Sequence, residues 1–218
     1  MSRCVRVAVV GAAGYAGGEL VRLLAGHPSV EIASVHARGR DGVPVADELP
    51  NLAPLGLAFT EDEPGADYLF TELTESTRAY GLSGHRHRPE IEQGLAEVGA
   101  AMPVTFVPHL VPQSRGILAT CYLSLRDDLD DEAIASVLRE AYDHEPFVHV
   151  SDAPPATKQA AGSNHAFVHG RRVAPRRAVV VSVIDNLGKG AAGQAIQNMN
   201  VALGLDETAG LGSLGIHP

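Results

Sequence analysis

The chain has 218 residues, a formal charge of -9, 45% hydrophobic residues and only two cysteines. That length fits one large or two small globular domains, and the acidic balance argues against a nucleic-acid backbone or an anionic membrane surface as partner, since either needs a concentrated positive field. No charged and then apolar leader opens the chain and no run of about 18 apolar residues occurs in it, so the expectation is a cytoplasmic, non-spanning chain with a small-molecule partner.

Val5, Val7, Val9 and Val10 form a β-branched run that stops at Gly11, and beyond Gly14 and Gly17 the apolar spacing turns helical at Leu20, Val21, Leu23 and Leu24. This predicts a strand, a glycine turn and a helix. Glycines at such a turn let the backbone approach a pyrophosphate, which then faces the free amides and positive dipole end of the helix. A tight β-to-α turn with no ligand has the same pattern, and G-x-x-G-x-x-G departs from the commoner G-x-G-x-x-G. Gly26-His27-Pro28 ends the helix, and Val30 to Val35 predicts a second strand. In a dinucleotide fold the residues just past that strand meet the adenosine ribose. Here they are His36-Ala37-Arg38-Gly39-Arg40 rather than an acid, which suits the 2′-phosphate of NADP; a solvated basic loop is the other reading.

From Gly42 to Ala66 the composition predicts a loop with at most one turn of helix, and Tyr68-Leu69-Phe70 opens a third strand with no crossover helix after it. A doubly wound sheet of two or three strands is poorly covered, so something expected is missing here. Gly84-His85-Arg86-His87-Arg88-Pro89-Glu90 predicts a glycine turn into a short helix with proline in its first turn. Pro103 to Pro108 is strand-like. Gly116 to Leu125 alternates with Ile117, Ala119, Cys121, Leu123 and Leu125 on one apolar face, which predicts a strand with Cys121 packed on its buried side. Asp131 to Tyr142 predicts an amphipathic helix, and Phe147 to Val150, Ala166 to Val168 and Ala178 to Ile184 complete an antiparallel α+β region. The last strand runs into Asp185-Asn186-Leu187-Gly188-Lys189-Gly190-Ala191-Ala192-Gly193-Gln194, a small-residue helix start that admits another backbone or a ligand, with Ala192, Ile196, Met199 and Leu203 as its apolar side.

Four ordered stretches, Gly11 to Leu20, Arg78 to Ile91, Pro108 to Thr120 and Asp185 to Asn200, together resemble N-acetyl-γ-glutamyl-phosphate reductase, the NADP-dependent enzyme family of arginine biosynthesis. The resemblance covers Val5 to about Asp67 and Glu72 to about Leu211. It implies a Rossmann-type α/β cofactor domain, here incomplete, joined to a glyceraldehyde-3-phosphate-dehydrogenase-like α+β domain. The corresponding division is 1–71 for NADP binding, 72–186 for catalysis and oligomerisation, and 187–218 for a C-terminal helix and tail returning to the cofactor domain. In the family a cysteine in Asn-Pro-Gly-Cys-Tyr-Pro-Thr attacks the acyl phosphate, phosphate leaves, and NADPH reduces the thioester to the semialdehyde. This sequence has no such segment; the family's remaining Rossmann strands and its nucleophile are expected between about Asp67 and Glu72. The expectation is therefore a reductase of N-acetyl-glutamyl phosphate that is inactive as written. The alternatives are a non-catalytic nucleotide-binding or oligomerisation remnant, and a related semialdehyde dehydrogenase.

The resemblance makes His87 the general acid/base, an imidazole being suited to proton transfer near neutrality, with Glu90 to orient it. His85, Arg86 and Arg115 are candidate substrate contacts, and Gly11, Ala13, Gly14, Tyr15, Ala16, Arg38, Asn186 and Gly190 candidate cofactor contacts. Solvated loops and surface salt bridges are the plain readings of the same charged residues. Cys121-Tyr122 copies two letters of the nucleophile segment without its prolines, and Cys4, like Cys121, reads as a free structural thiol. The ten histidines form no zinc-ligand pairing and no metal is expected. A homo-oligomer is expected from the sheet of the second domain.

Overall fold

The computed structural model describes residues 5–60 and 76–212. Cys4, the Tyr68–Phe70 strand and the expected boundary at 71/72 lie outside them. The chain forms two compact units, Met1–Pro64 with Arg115–Pro218, and Gly65–Ser114.

The larger unit opens with strand β1, Val5–Val10, helix α1, Tyr15–Ala25, and strand β2, Val30–His36. β1 stops because Gly11 takes a φ of +76°, a region costly for any residue with a Cβ. The N–H of Ala12 then donates to the His36 carbonyl at 2.9 Å and ties the turn to the end of β2. A Cβ on Gly17 would run into the Gly11 carbonyl, so this glycine is what lets the helix start lie against the turn. Val9, Val21, Leu24 and Val35 are buried in one core, while Ala8, Val10 and Ala33 on alternate positions are exposed. Gly42 to Thr60, the described part of this stretch, is more ordered than its composition suggests. It holds α2, Val45–Glu48, a 3₁₀ turn over Pro50–Leu55, and β3, Phe59–Thr60. Val45, Leu52 and Phe59 anchor these pieces in the core at seven-residue steps, a spacing spread over three short elements that periodicity within any one of them cannot reveal. β1, β2 and β3 run parallel in that order.

In the smaller unit, β4, Arg78–Ala79, pairs antiparallel with β5, His109–Leu110, and α3 spans His87–Glu97. None of its described residues is buried. Pro103 to Pro108 forms no strand: prolines at both ends lack the N–H a ladder needs, and pairing begins only at His109.

The larger unit resumes with β6, Ile117–Ser124, α4, Asp131–Tyr142, β7, Val148–Val150, α5, Thr157–Ala160, β8, Ala166–Ala174, and β9, Arg177–Ile184. The strands form a sheet of order β6-β9-β8-β7. It is mixed rather than wholly antiparallel, because β7 runs parallel to β8. Asp130 caps α4 by accepting the Ala133 N–H at 2.8 Å, and Ile134 and Leu138 of that helix pack over Gly170 of β8. β6 corrects the expectation of a buried apolar face. It is the edge strand, α4 packs on β7 and β8, and all eight residues of β6 are exposed, Cys121 among them. One π-helical turn, Gly188–Ala192, leads into α6, Gly193–Ala202, which buries Ile196 and packs Met199 but leaves Leu203 exposed just past its end.

Candidate functional site

The glycine turn presents Gly11, Gly14, Tyr15 and Ala16 to solvent with Ala13 half-buried beside them. Gly14 is the N-cap of α1, contributes no side-chain cap, and no acid occupies the first turn, so neither cap nor first turn neutralises that end of the helix dipole. Ala13, Tyr15 and Ala16 join the glycines there because the helix start places them around it. Arg38 is exposed just past β2 and has a partner of its own, whereas Arg40 is paired with Glu48 at 3.0 Å. Sequence reasoning did not single out the polar cluster at this end of the sheet. His36 sits between Ser34 Oγ, 2.9 Å from Nε2, and Thr60 Oγ1, 2.6 Å from Nδ1, and the Thr60 hydroxyl also donates to the Val35 carbonyl. The only local signal was Ser34 and His36 two apart on one strand face; Thr60 arrives through the β2–β3 pairing.

Arg115 is held by carboxylates. Its guanidinium lies 3.0 Å from Glu19 and 3.2 Å from Asp185, with 19% of the side chain exposed. Glu19 also receives both Nε and Nη2 of Arg22, at 2.9 and 2.8 Å. Burial works against charge on Glu19, yet the hydrogen bonds from Arg22 and Arg115 outweigh it and hold its pKa below the ordinary value. Asp185 is fully buried and accepts the N–H groups of Gly162, Leu187 and Gly188 at 2.6, 2.7 and 2.8 Å. One carboxylate therefore shapes both the 162 loop and the turn into α6, and Arg115 links it to α1. Glu19 and Asp185 were missed because partners so distant in sequence carry no local signal.

Asn186 uses its Oδ1 to accept the Gly116 N–H at 2.7 Å, fixing the approach to β6. The glycines that follow answer to neighbouring backbone. A Cβ on Gly188 would meet the Ser163 carbonyl, one on Gly190 would come within 3.1 Å of the Asp185 carbonyl, and one on Gly193 would strike Asn164. His27 joins the ends of α1 and α6. Its Nδ1 accepts the Ser29 N–H at 3.1 Å, so Nε2 carries the proton it shares with Asn200 Oδ1, also at 3.1 Å.

In the smaller unit, His85 and His87 meet edge to face with ring centroids 4.7 Å apart, and His85 also meets Tyr80 and Phe106 edge to face. The His87 N–H donates to His85 Nδ1 at 3.2 Å. His87, Glu90 and Arg86 are exposed, and no hydrogen bond joins Glu90 to the His87 ring. Among the described residues no group of three or more His, Cys, Asp or Glu is placed to hold a metal, and no helix is long and apolar enough to cross a membrane.

Two family models match the chain: the semialdehyde dehydrogenase NAD binding domain over residues 6–76 and the semialdehyde dehydrogenase dimerisation domain over residues 62–186. An N-acetyl-gamma-glutamyl-phosphate reductase of Halorhodospira halophila is 52% identical over 155 residues, which is 69% of this chain and 44% of that protein. One of Heliobacterium modesticaldum is 40% identical over 202 residues, 88% of this chain and 57% of that protein. The chain thus spans about half the length of the curated relatives it matches. A solved aspartate semialdehyde dehydrogenase II of Vibrio cholerae is similar over 92% of this chain and 55% of its own, at 16% identity and a TM-score of 0.48. The two family models together cover most of the chain, which belongs to the semialdehyde dehydrogenase family; the curated relatives it resembles are N-acetyl-gamma-glutamyl-phosphate reductases.

Proposed function

We propose that the chain carries the cofactor turn and the acid/base segment of an NADP-dependent N-acetyl-gamma-glutamyl-phosphate reductase, an oxidoreductase of arginine biosynthesis. The overall reaction reduces N-acetyl-glutamyl 5-phosphate to N-acetyl-glutamate 5-semialdehyde and releases phosphate. The observation that carries this reading is the start of α1: a helix end without a side-chain cap, no acid in its first turn, and Gly11, Gly14 and Gly17, at which an added Cβ would meet, among the described residues, only neighbouring backbone or open space. The residues fit a dinucleotide, which when bound supplies the hydride. Gly11, Ala13, Gly14, Tyr15 and Ala16 hold its pyrophosphate, Arg38 donates to the 2′-phosphate, and the Asn186–Gly190 turn borders the same helix end through Asp185, Arg115 and Glu19. His87 manages the proton at the reacting oxygen, Glu90 supports it, and His85 and Arg86 contact substrate. Arg115 has two carboxylates on its guanidinium, so its part is to position the turn rather than to receive substrate.

This route also needs a thiolate to displace phosphate from the acyl carbon, and the sequence offers only Cys4 and Cys121, neither in Asn-Pro-Gly-Cys-Tyr-Pro-Thr. Cys121 is a free thiol on the exposed edge strand β6. The exposed apolar residues of β6, Ile117, Leu118, Tyr122 and Leu123, support a homo-oligomer, as does the description of the matched dimerisation domain. A cytoplasmic setting suits the small phosphorylated substrate. The chain as written is expected to show no phosphate-dependent oxidation of N-acetyl-glutamate semialdehyde coupled to NADP reduction, and a chain with the nucleophile segment restored is expected to show it. Turnover by the chain as written would contradict the requirement for the missing thiol. No turnover by the restored chain would favour the second reading, a nucleotide-binding oligomer without catalysis.

A further inference from the structure

We propose that Asn164 holds one buried water in a cavity between α1 and the start of α6, an internal site independent of any catalytic role. The argument starts from two charges. Lys189 Nζ donates to Gln197 Oε1 at 2.6 Å, and Gln197 Nε2 donates to Glu207 Oε1 at 2.6 Å. An ammonium cannot accept and a carboxylate cannot donate, so together they fix which way the Gln197 amide points. The same Oε1 sits 3.0 Å from Asn164, and the atom facing an acceptor must be the donor, Nδ2. Asn164 Oδ1 is thereby turned away from Gln197. Asn164 is 3% exposed, and Oδ1 has no partner among the described residues. A buried amide oxygen left this way is costly, and a second bond cannot come from flipping Asn164 without facing two oxygens at Gln197.

Asn164 lines a cavity of about 10 Å³ with Glu19, Leu23, Ser163, Gly188 and Gly193. That is the size at which one water molecule fits. The site calls for a donor, and it favours water over ammonium: the Glu19 carboxylate is already matched by Arg22 and Arg115, so a further cation finds no unbalanced charge. Bonded to Asn164 and within reach of Glu19, this water ties the cofactor helix to the loop on which α6 rests.

A crystal structure resolving ordered solvent tests the site. The expected result is a single full-occupancy water about 2.7–3.1 Å from Asn164 Oδ1. An empty cavity, or an Asn164 turned so that Oδ1 meets a protein donor, overturns it. In solution, magnetisation transfer from long-lived water to the Gly193 amide is expected in the wild-type chain and lost in Asn164→Leu. Transfer that persists unchanged in a folded Asn164→Leu also overturns the assignment, and if that variant fails to fold the wild-type density decides.

Discussion

The turn at Asp185 and the turn at His85 each gather the chemistry of one segment, and they are built in opposite ways. Asp185 is fully buried, satisfies three backbone N–H groups and is matched by Arg115, all inside a unit whose core includes Val9, Phe147 and Ile196. His85 and His87 lean on each other and on Tyr80 and Phe106 in a unit with no buried residue among those described. The first geometry is enforced by the cost of leaving buried charge unpaired; the second is set by ring contacts and exposed hydrogen bonds such as that from the His87 N–H to His85 Nδ1. The Asp185 turn is preorganised by buried charge, and the His85 turn is held at an exposed surface.

The sharpest break is Asp185→Ala. Removing the carboxylate of a buried ion pair, which here also accepts three backbone N–H groups, costs about 3–5 kcal/mol, a large share of the stability of a domain this size. Urea denaturation should record a loss of that order, and a loss under about 1 kcal/mol would show that the Asp185 turn is no better supported than the His85 turn. A smaller effect is expected with acid. The pKa of Glu19 is lowered in the folded chain, so its contribution is whole above the unfolded value of 4.5 and is lost as pH falls through the lower folded value. The wild-type chain should therefore lose stability more steeply than Glu19→Gln below pH 4.5, and parallel curves would remove the two arginines from the account. The smallest effects belong to exposed positions. His87→Ala should stay within about 0.5 kcal/mol of wild type, and Cys121, exposed on β6 of the single chain, should label readily with a thiol reagent at dilutions where the chain is monomeric and more slowly where a second copy covers β6. A larger loss for His87→Ala would mean that its surface is covered in solution.

The same division governs what the sequence could reveal. Val5 to Ala25 and Asp131 to Tyr142 were legible because a strand, a glycine turn and a helical period are local, and the residues that enforce them sit side by side. The exposure of β6 was not: alternation at Ile117, Ala119 and Cys121 says which residues share a face, and cannot say whether a helix lies over it. Nor was the direction of β7, set by a crossover through α5 and the 162 loop. Arg115 looked like an anion receptor because its carboxylates, Glu19 and Asp185, come from the far ends of the chain. The Ser34–His36–Thr60 cluster needed the pairing of β2 with β3 before it existed.

The claim at the centre is that a preformed turn at α1 and Arg38 bind NADPH even where turnover is absent. Calorimetric titration of the wild-type and Arg38→Ala chains with NADPH and NADH tests it most directly. A charge-assisted hydrogen bond is worth about 1.5–3 kcal/mol, so Arg38→Ala should weaken NADPH about tenfold or more and leave NADH nearly unchanged. Equal losses for the two cofactors, or no binding of either by the wild-type chain, would contradict the account.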